Sequence, residues 1–196
     1  MKTKTIVKKI ISGKFKGKTL KLPSMLTTRS SKSIVLESFY NTIQFDIVDA
    51  NFVEVFSGSG SIGLEALSRG ASQIYFMERD RDAIKVLKEN ISQTAPSQCE
   101  IFSGDSFTNI NAVVKALKKK NEDAYFYIDP PFSIREGMED IYDKMMLLIA
   151  SLPQKNVKLI IIEHMTGLVI PESIGNFTKK KSKKFGNTSL TYLNAE

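Results

Sequence analysis

The stretch Phe52-Val53-Glu54-Val55-Phe56-Ser57-Gly58-Ser59-Gly60-Ser61-Ile62-Gly63-Leu64-Glu65-Ala66-Leu67-Ser68-Arg69-Gly70 changes its periodicity halfway along. Phe52–Phe56 reads as a short apolar strand. Ser61–Arg69 reads as a helix with Ile62, Leu64, Ala66 and Leu67 apolar and Gly70 as its stop. Between them Gly58, Gly60 and Gly63 form a G-x-G-x-x-G turn. Glycines at such a turn let the chain enter a helix N-terminus sharply and let a ligand approach the backbone. Glu78 lies 20 residues after Gly58, at the end of the next predicted strand, Gln73–Met77. An acid there can accept hydrogen bonds from both hydroxyls of a ribose. The pattern leaves open whether the adenosine-bearing ligand is a dinucleotide or S-adenosylmethionine.

Outward from this unit the alternation continues. Asp80 can cap a helix with Ala83, Val86, Leu87 and Ile91 on one face. Glu100–Phe102 reads as a strand, Phe107–Leu117 as a helix ending in Lys118-Lys119-Lys120, Ala124–Ile128 as a strand and Glu136–Ser151 as a helix. Val157–Ile162 is a continuous apolar strand, as in parallel sheets covered on both faces. Strands alternating with helices predict an α/β fold with a mostly parallel, doubly wound sheet. Upstream, Ser31–Ile43 has a helical face of Ile34, Val35, Phe39 and Ile43. Two segments break the rhythm. Ile6–Leu22 reads as a small basic β-hairpin ended by Pro23, and Phe177–Lys184 with Ser189–Leu193 as a closing antiparallel hairpin around Gly186-Asn187. The expected organisation is a basic N-terminal extension over residues 1–30 and one domain over 31–196.

Composition excludes several classes. The chain has 196 residues, 42% apolar and 25% charged, which suits one soluble globular domain. No apolar run approaches the ~18 residues of a membrane span. A single cysteine, Cys99, and a single histidine, His164, exclude an internal disulfide and Cys/His metal clusters. A cytoplasmic, metal-free monomer is expected, with His164 structural and Cys99 a packing residue. The net charge of +7 is segregated: the first 36 residues hold ten Lys or Arg and no acid. A second block comprises Lys179, Lys180, Lys181, Lys183 and Lys184. Such segregation favours a polyanionic partner, nucleic acid. The candidate RNA contacts are Lys8, Lys9, Lys14, Lys16, Lys18, Lys183 and Lys184.

Asp129-Pro130-Pro131-Phe132 follows the strand Ala124–Ile128. Two successive prolines supply carbonyl acceptors and no N–H donors. A carboxylate beside them suits an exocyclic amine of a base, and the neighbouring aromatic can stack on that base. Residue chemistry alone fits guanine N2 and adenine N6 equally. A nicotinamide-dependent oxidoreductase would leave this loop without a purpose. A non-catalytic RNA-binding module would not need the loop, the glycines and Glu78 together.

The stretch Glu54–Ala71, with Glu78 and Asp129-Pro130-Pro131-Phe132, resembles the bacterial small-subunit ribosomal RNA guanine-N2 methyltransferases. So do Ile10–Lys18, Thr27-Thr28-Arg29, Glu37–Asn41 and Lys184–Leu190, which extend the likeness over nearly the whole chain. The resemblance implies a Rossmann-like methyltransferase using S-adenosylmethionine and acting on ribosomal RNA, free or in the assembled small subunit. It implies that Glu54, standing where the family usually has Asp, holds the methionine end of the cofactor. Glu78 would hold the ribose and Asp105 the adenine amine, with Phe56, Gly58, Gly60, Gly63, Arg79, Gly104 and Ser106 completing the cofactor set. Thr28 and Arg29 would close over it, and Asp129, Pro130, Pro131 and Phe132 would form the catalytic loop. Ile34 and Leu36 stand where the family tends to carry arginines.

Overall fold

The structure is a computed structural model that describes residues 7–23, 33–131 and 140–195. Strands β1 (Val7–Lys9) and β2 (Thr19–Lys21) pair antiparallel, forming the expected hairpin. Helix α1 (Ser33–Thr42) leads to β3 (Asn51–Val55), α2 (Ser61–Ser68), β4 (Gln73–Glu78) and α3 (Arg81–Ser92). Next come β5 (Cys99–Ser103), α4 (Ser106–Lys120), β6 (Ala124–Ile128), α5 (Ile141–Ser151) and β7 (Val157–Met165). The chain closes with β8 (Ser173–Ile174), β9 (Phe177–Phe185) and β10 (Thr188–Ala195).

The eight-stranded sheet has the order β5-β4-β3-β6-β7-β10-β9-β8. From β5 to β7 every pairing is parallel, and β10, β9 and β8 add on antiparallel. This is the expected mostly parallel α/β sheet with a closing hairpin. Strand alternation divides the core into two layers. Phe52, Ile74, Phe76, Tyr125 and Tyr127 face the layer built with α1, α2, α3 and the hairpin. Val53, Val55, Tyr75, Phe126 and Ile128 face the layer of α4 and α5.

Several boundaries differ from the sequence reading. The last helix is described only from Ile141; the predicted turns before it lie outside the described residues. Helix α4 begins one residue early, at Ser106, and ends in the expected Lys118-Lys119-Lys120, whose cations favour a helix C-terminus, closing at Asn121 with φ 55°. Strand β7 continues past Ile162 to Met165, because β10 supplies a partner as far as Thr188. Strand β8 was not anticipated; two residues carry no readable periodicity. In α1 the predicted face is rotated: Ile34 is 61% exposed, whereas Leu36 and Tyr40 join Val35 and Phe39 in the core.

Two buried acids fix how the N-terminal half assembles. Glu65, on α2, is 2% exposed. Its carboxylate accepts the N–H groups of Ile11 (2.7 Å) and Ser12 (3.0 Å) and the Arg69 Nε–H (2.8 Å). Ser68 accepts the Phe15 N–H and donates to the Ser12 carbonyl, while Lys14 N–H donates to the Ser68 carbonyl. A Cβ at Gly13 would stand 1.8 Å from that carbonyl oxygen, so only glycine permits this docking. Ile10 and Leu20 then pack into the first core layer.

The other acid, Glu54 on β3, is 3% exposed and accepts the N–H groups of Gly63 (2.8 Å) and Ile62 (3.3 Å) at the start of α2. A Cβ at Gly63 would meet Phe76, Ile74 and the Glu54 carboxylate at 2.6, 2.7 and 2.9 Å. Helix and strand therefore approach closely only because residue 63 is glycine. Burial raises the Glu54 carboxyl from 4.5 to about 8, although the two N–H donors and Lys8 oppose the shift.

Replacing Glu65 with Ala would leave two N–H groups and a largely buried guanidinium without their acceptor. Urea denaturation should show a loss of about 3–5 kcal/mol, the range for breaking a buried charge pair. A loss under ~1 kcal/mol would show that the hairpin docks without this carboxylate. For Glu54 the sign follows from its raised pKa. Between pH 4.5 and about 8 the native chain retains a proton that the unfolded chain has lost, so stability falls as pH rises through that window. Glu54→Gln cannot titrate, and its Tm should fall less steeply than the wild-type Tm between about pH 5 and 8. Parallel profiles would contradict the protonation of Glu54.

Candidate active site

The parallel sheet proceeds outward from β3 in both directions, to β4 and β5 on one side and to β6 and β7 on the other. Such a reversal opens a crevice beyond the C-terminal strand ends, here between β3 and β6. The glycine turn and the Asp129 loop face each other across it, one following each strand.

Glu78 closes β4 and holds the near end of the glycine turn. Its carboxylate accepts Gly58 N–H at 2.7 Å and the N–H groups of Arg79 and Asp80 at 2.8 Å each. A carboxylate offers about four lone-pair directions. Three are taken, leaving one on the oxygen that faces Gly58 rather than a pair for two hydroxyls. Phe56, with φ +63°, follows β3 and meets Phe107 edge-on at 5.4 Å. Gly60, with φ +74°, starts α2 without a side-chain cap. Gly104, with φ +127°, donates its N–H to the Glu78 carbonyl. Asp105 caps α4 by accepting from Phe107 N–H, and Ser106 is buried behind it.

Beside these strand ends lies a cleft of about 440 Å³, lined by Arg79, Asp105 and Phe107 and, from α5, by Ile141, Lys144 and Leu148. An aromatic ring, aliphatic side chains and two acids, Asp105 and the Lys144-paired Asp140, suit a flat heterocycle carrying an amine. Together with the close-approach glycines and an acid at the end of β4, these residues fit an adenosine cofactor. The α5 residues escaped the sequence reading because a helix that lines a cleft has the same apolar periodicity as one that fills a core.

On the other side of the turn the site is acidic. Asp129 is half-buried at the end of β6, Pro130 is buried and Pro131 half-buried. Tyr127, fully buried against Phe39 with ring centroids 5.0 Å apart, donates its hydroxyl to Glu163 at 2.7 Å. Burial pushes the Tyr127 phenol well up, with the charges of Glu163 and Asp129 adding to the shift. The Lys8 ammonium reaches the same region, 3.5 Å from Ser61 Oγ. Burial holds it below its ordinary value, against the pull of Glu54, Glu163, Glu65 and Asp129. Glu163 was legible as a charge ending the run Ile160-Ile161-Ile162, and Lys8 through its i, i+2 relation to buried Ile10.

The remaining expected residues are dispersed. Lys9 and Lys16 are exposed on the hairpin. Lys14 donates to Gln98 at 3.2 Å and Lys18 to the Gln93 carbonyl, both near the Phe15 ring. Lys183 reaches Ser38 on α1 at 3.4 Å, and Lys184 is exposed. Thr28, Arg29 and Phe132 lie outside the described residues. His164 is 3% exposed and bonded at 2.9 Å to Thr191 Oγ1 and to the Met165 carbonyl, and burial lowers its pKa. It has the contacts of a structural residue. Burial pushes the Cys99 thiol up to about 12, far from a reactive thiolate. Among the described residues no cluster of three or more His, Cys, Asp or Glu could hold a metal, and no helix is long and apolar enough to cross a membrane.

Comparison with known proteins matches this architecture. The Ribosomal RNA small subunit methyltransferase D of Buchnera aphidicola subsp. Baizongia pistaciae is 30% identical over 188 residues, covering 93% of this chain and 89% of the relative. Its Escherichia coli K12 namesake is 32% identical over 130 residues, covering 66% and 62%. Among solved structures, the Escherichia coli protein yhhF superposes with a TM-score of 0.74 at 24% identity, over 97% of this chain and 98% of that one. These relatives and the Rossmann-like fold make S-adenosylmethionine the methyl donor. The sequence pattern of the family described as Conserved hypothetical protein 95 matches residues 8–194, and the chain belongs to that family.

Proposed function

We propose that this protein transfers a methyl group from S-adenosylmethionine to the exocyclic N2 amine of a guanine in small-subunit ribosomal RNA. The observation that carries the reading is the position of Asp129-Pro130-Pro131 at the end of β6, across the switch point from the glycine turn after β3. The names of the relatives and the motif resemblance favour ribosomal RNA and guanine N2 over other amines.

S-adenosylmethionine, when bound, supplies a methyl group made electrophilic by its sulfonium. Glu78 would take a ribose hydroxyl on its remaining lone-pair direction, and Asp105 with Phe107 would receive the adenine. Glu54 would face the methionine end, with Thr28 and Arg29 contributing from the N-terminal side. Asp129 would accept a hydrogen bond from the target amine, helped by the acceptor-only Pro-Pro backbone. Two such bonds localise the amine's lone pair and aim it at the methyl carbon, which is positioning rather than proton abstraction. As the nitrogen–methyl bond forms the sulfur–methyl bond would break, and the amine's extra proton would then pass to solvent water. Phe132 would stack on the base, which must leave its helical stack to enter. Lys9, Lys14, Lys16 and Lys18 on the hairpin, with Lys183 and Lys184 on β9, would grip phosphates. A cytosolic location follows from such a substrate.

Two measurements check this reading. Small-subunit RNA methylated in vitro with labelled S-adenosylmethionine should yield N2-methylguanosine on nucleoside analysis. N6-methyladenosine would replace the guanine reading with an adenine one, and no labelled nucleoside would overturn both. Asp129→Ala should lower single-turnover methyl transfer by about 100-fold or more while leaving S-adenosylhomocysteine binding within about threefold. Wild-type turnover would return Asp129 to a turn residue.

A further inference from the structure

Lys8 differs from the other hairpin lysines in where it points. It pairs with Leu20 in the hairpin register, and Leu20 is 1% exposed, so both side chains project to the inner face. Its neighbours Val7 and Lys9 face outward. The Lys8 ammonium lies 3.5 Å from the hydroxyl of Ser61, the first residue of α2. Carboxylates from three other directions act on it: Glu54 from β3, Glu163 from β7 and Asp129 after β6, with Glu65 of α2 as a fourth. A phosphate-gripping lysine would be expected to keep its ammonium in solvent, where RNA can reach it.

The surroundings have the charge pattern of a zwitterion's receptor. The methionine end of S-adenosylmethionine carries an ammonium and a carboxylate on one carbon. An acidic pocket alone would attract the ammonium and repel the carboxylate, so it would not fix their orientation. A single ammonium set among the acids, beside a helix N-terminus with its partial positive charge, gives the carboxylate one favourable position. We propose that Lys8 binds the α-carboxylate of S-adenosylmethionine while Glu54 of β3, Asp129 after β6 and Glu163 of β7 face its α-ammonium. The role rests on the cofactor reading above. It makes the basic hairpin part of the cofactor site: the Glu65 and Ser68 bonds that dock the hairpin on α2 also set the reach of Lys8.

The test uses the full chain and two ligands differing only in the group concerned: S-adenosylhomocysteine and its decarboxylated analogue, titrated calorimetrically. Wild type should prefer S-adenosylhomocysteine by about 10- to 100-fold, as for a charge-assisted hydrogen bond. Lys8→Met should lower S-adenosylhomocysteine affinity to that of the analogue and leave analogue affinity within about twofold. Lys8→Arg, which keeps the charge, should retain most of the preference. Equal weakening of both ligands by Lys8→Met would show a structural role and overturn the assignment. A wild type that does not distinguish the ligands overturns it without any variant. Binding of neither ligand by wild type would overturn the cofactor reading itself, and this proposal with it.

Discussion

The glycine turn between β3 and α2 is held at both ends by carboxylates from adjacent parallel strands. Glu54 on β3 takes the N–H groups of Ile62 and Gly63, and Glu78 on β4 takes that of Gly58. A turn of glycines would otherwise carry the greatest loss of conformational entropy on folding. Bonding its N–H groups to two acids on a rigid sheet fixes the backbone before any ligand arrives. The acids serve unequally. Glu54 is buried, which raises its carboxyl to about 8, whereas Glu78 is half-buried at the crevice edge and keeps an acceptor direction open.

A second consequence concerns the N-terminal hairpin. Two three-residue strands bury too little to be stable alone. Here Glu65 and Ser68 of α2 satisfy the hairpin's backbone donors, while Ile10 and Leu20 enter the core. The same helix α2 therefore begins at the glycine turn and ends at the hairpin dock. Its first residue faces Lys8 and its last holds the hairpin loop, which ties the basic hairpin to the glycine-turn side of the crevice.

The fold was legible in the sequence wherever a periodicity ran for five residues or more beside a strong stop. Ala124–Ile128 and the closing hairpin around Gly186-Asn187 stand where the pattern placed them, and Asp80 caps α3 as its position predicts. Failures have local causes. Ile34 is apolar yet lies off the buried face of α1, because the face turned inward is set by Phe39, whose ring meets both Tyr40 and Tyr127. The strand-end residues Glu78, Gly104 and Asp129 were readable because motifs fix them to strand termini. Charge counting misses the Lys8 environment because it treats every lysine of a basic stretch alike; only strand alternation with Ile10 and the cross-strand partner Leu20 tell inward from outward.

The glycine turn staked by Glu54 and Glu78 is read as a site for S-adenosylmethionine rather than for a dinucleotide. The most direct measurement is a pair of calorimetric titrations of the full chain at one salt concentration, with S-adenosylhomocysteine and with NAD. S-adenosylhomocysteine should bind saturably and one-to-one, and NAD should be weaker by at least about 100-fold, a difference of ~2.7 kcal/mol. Saturable NAD binding with no heat from S-adenosylhomocysteine would contradict that reading.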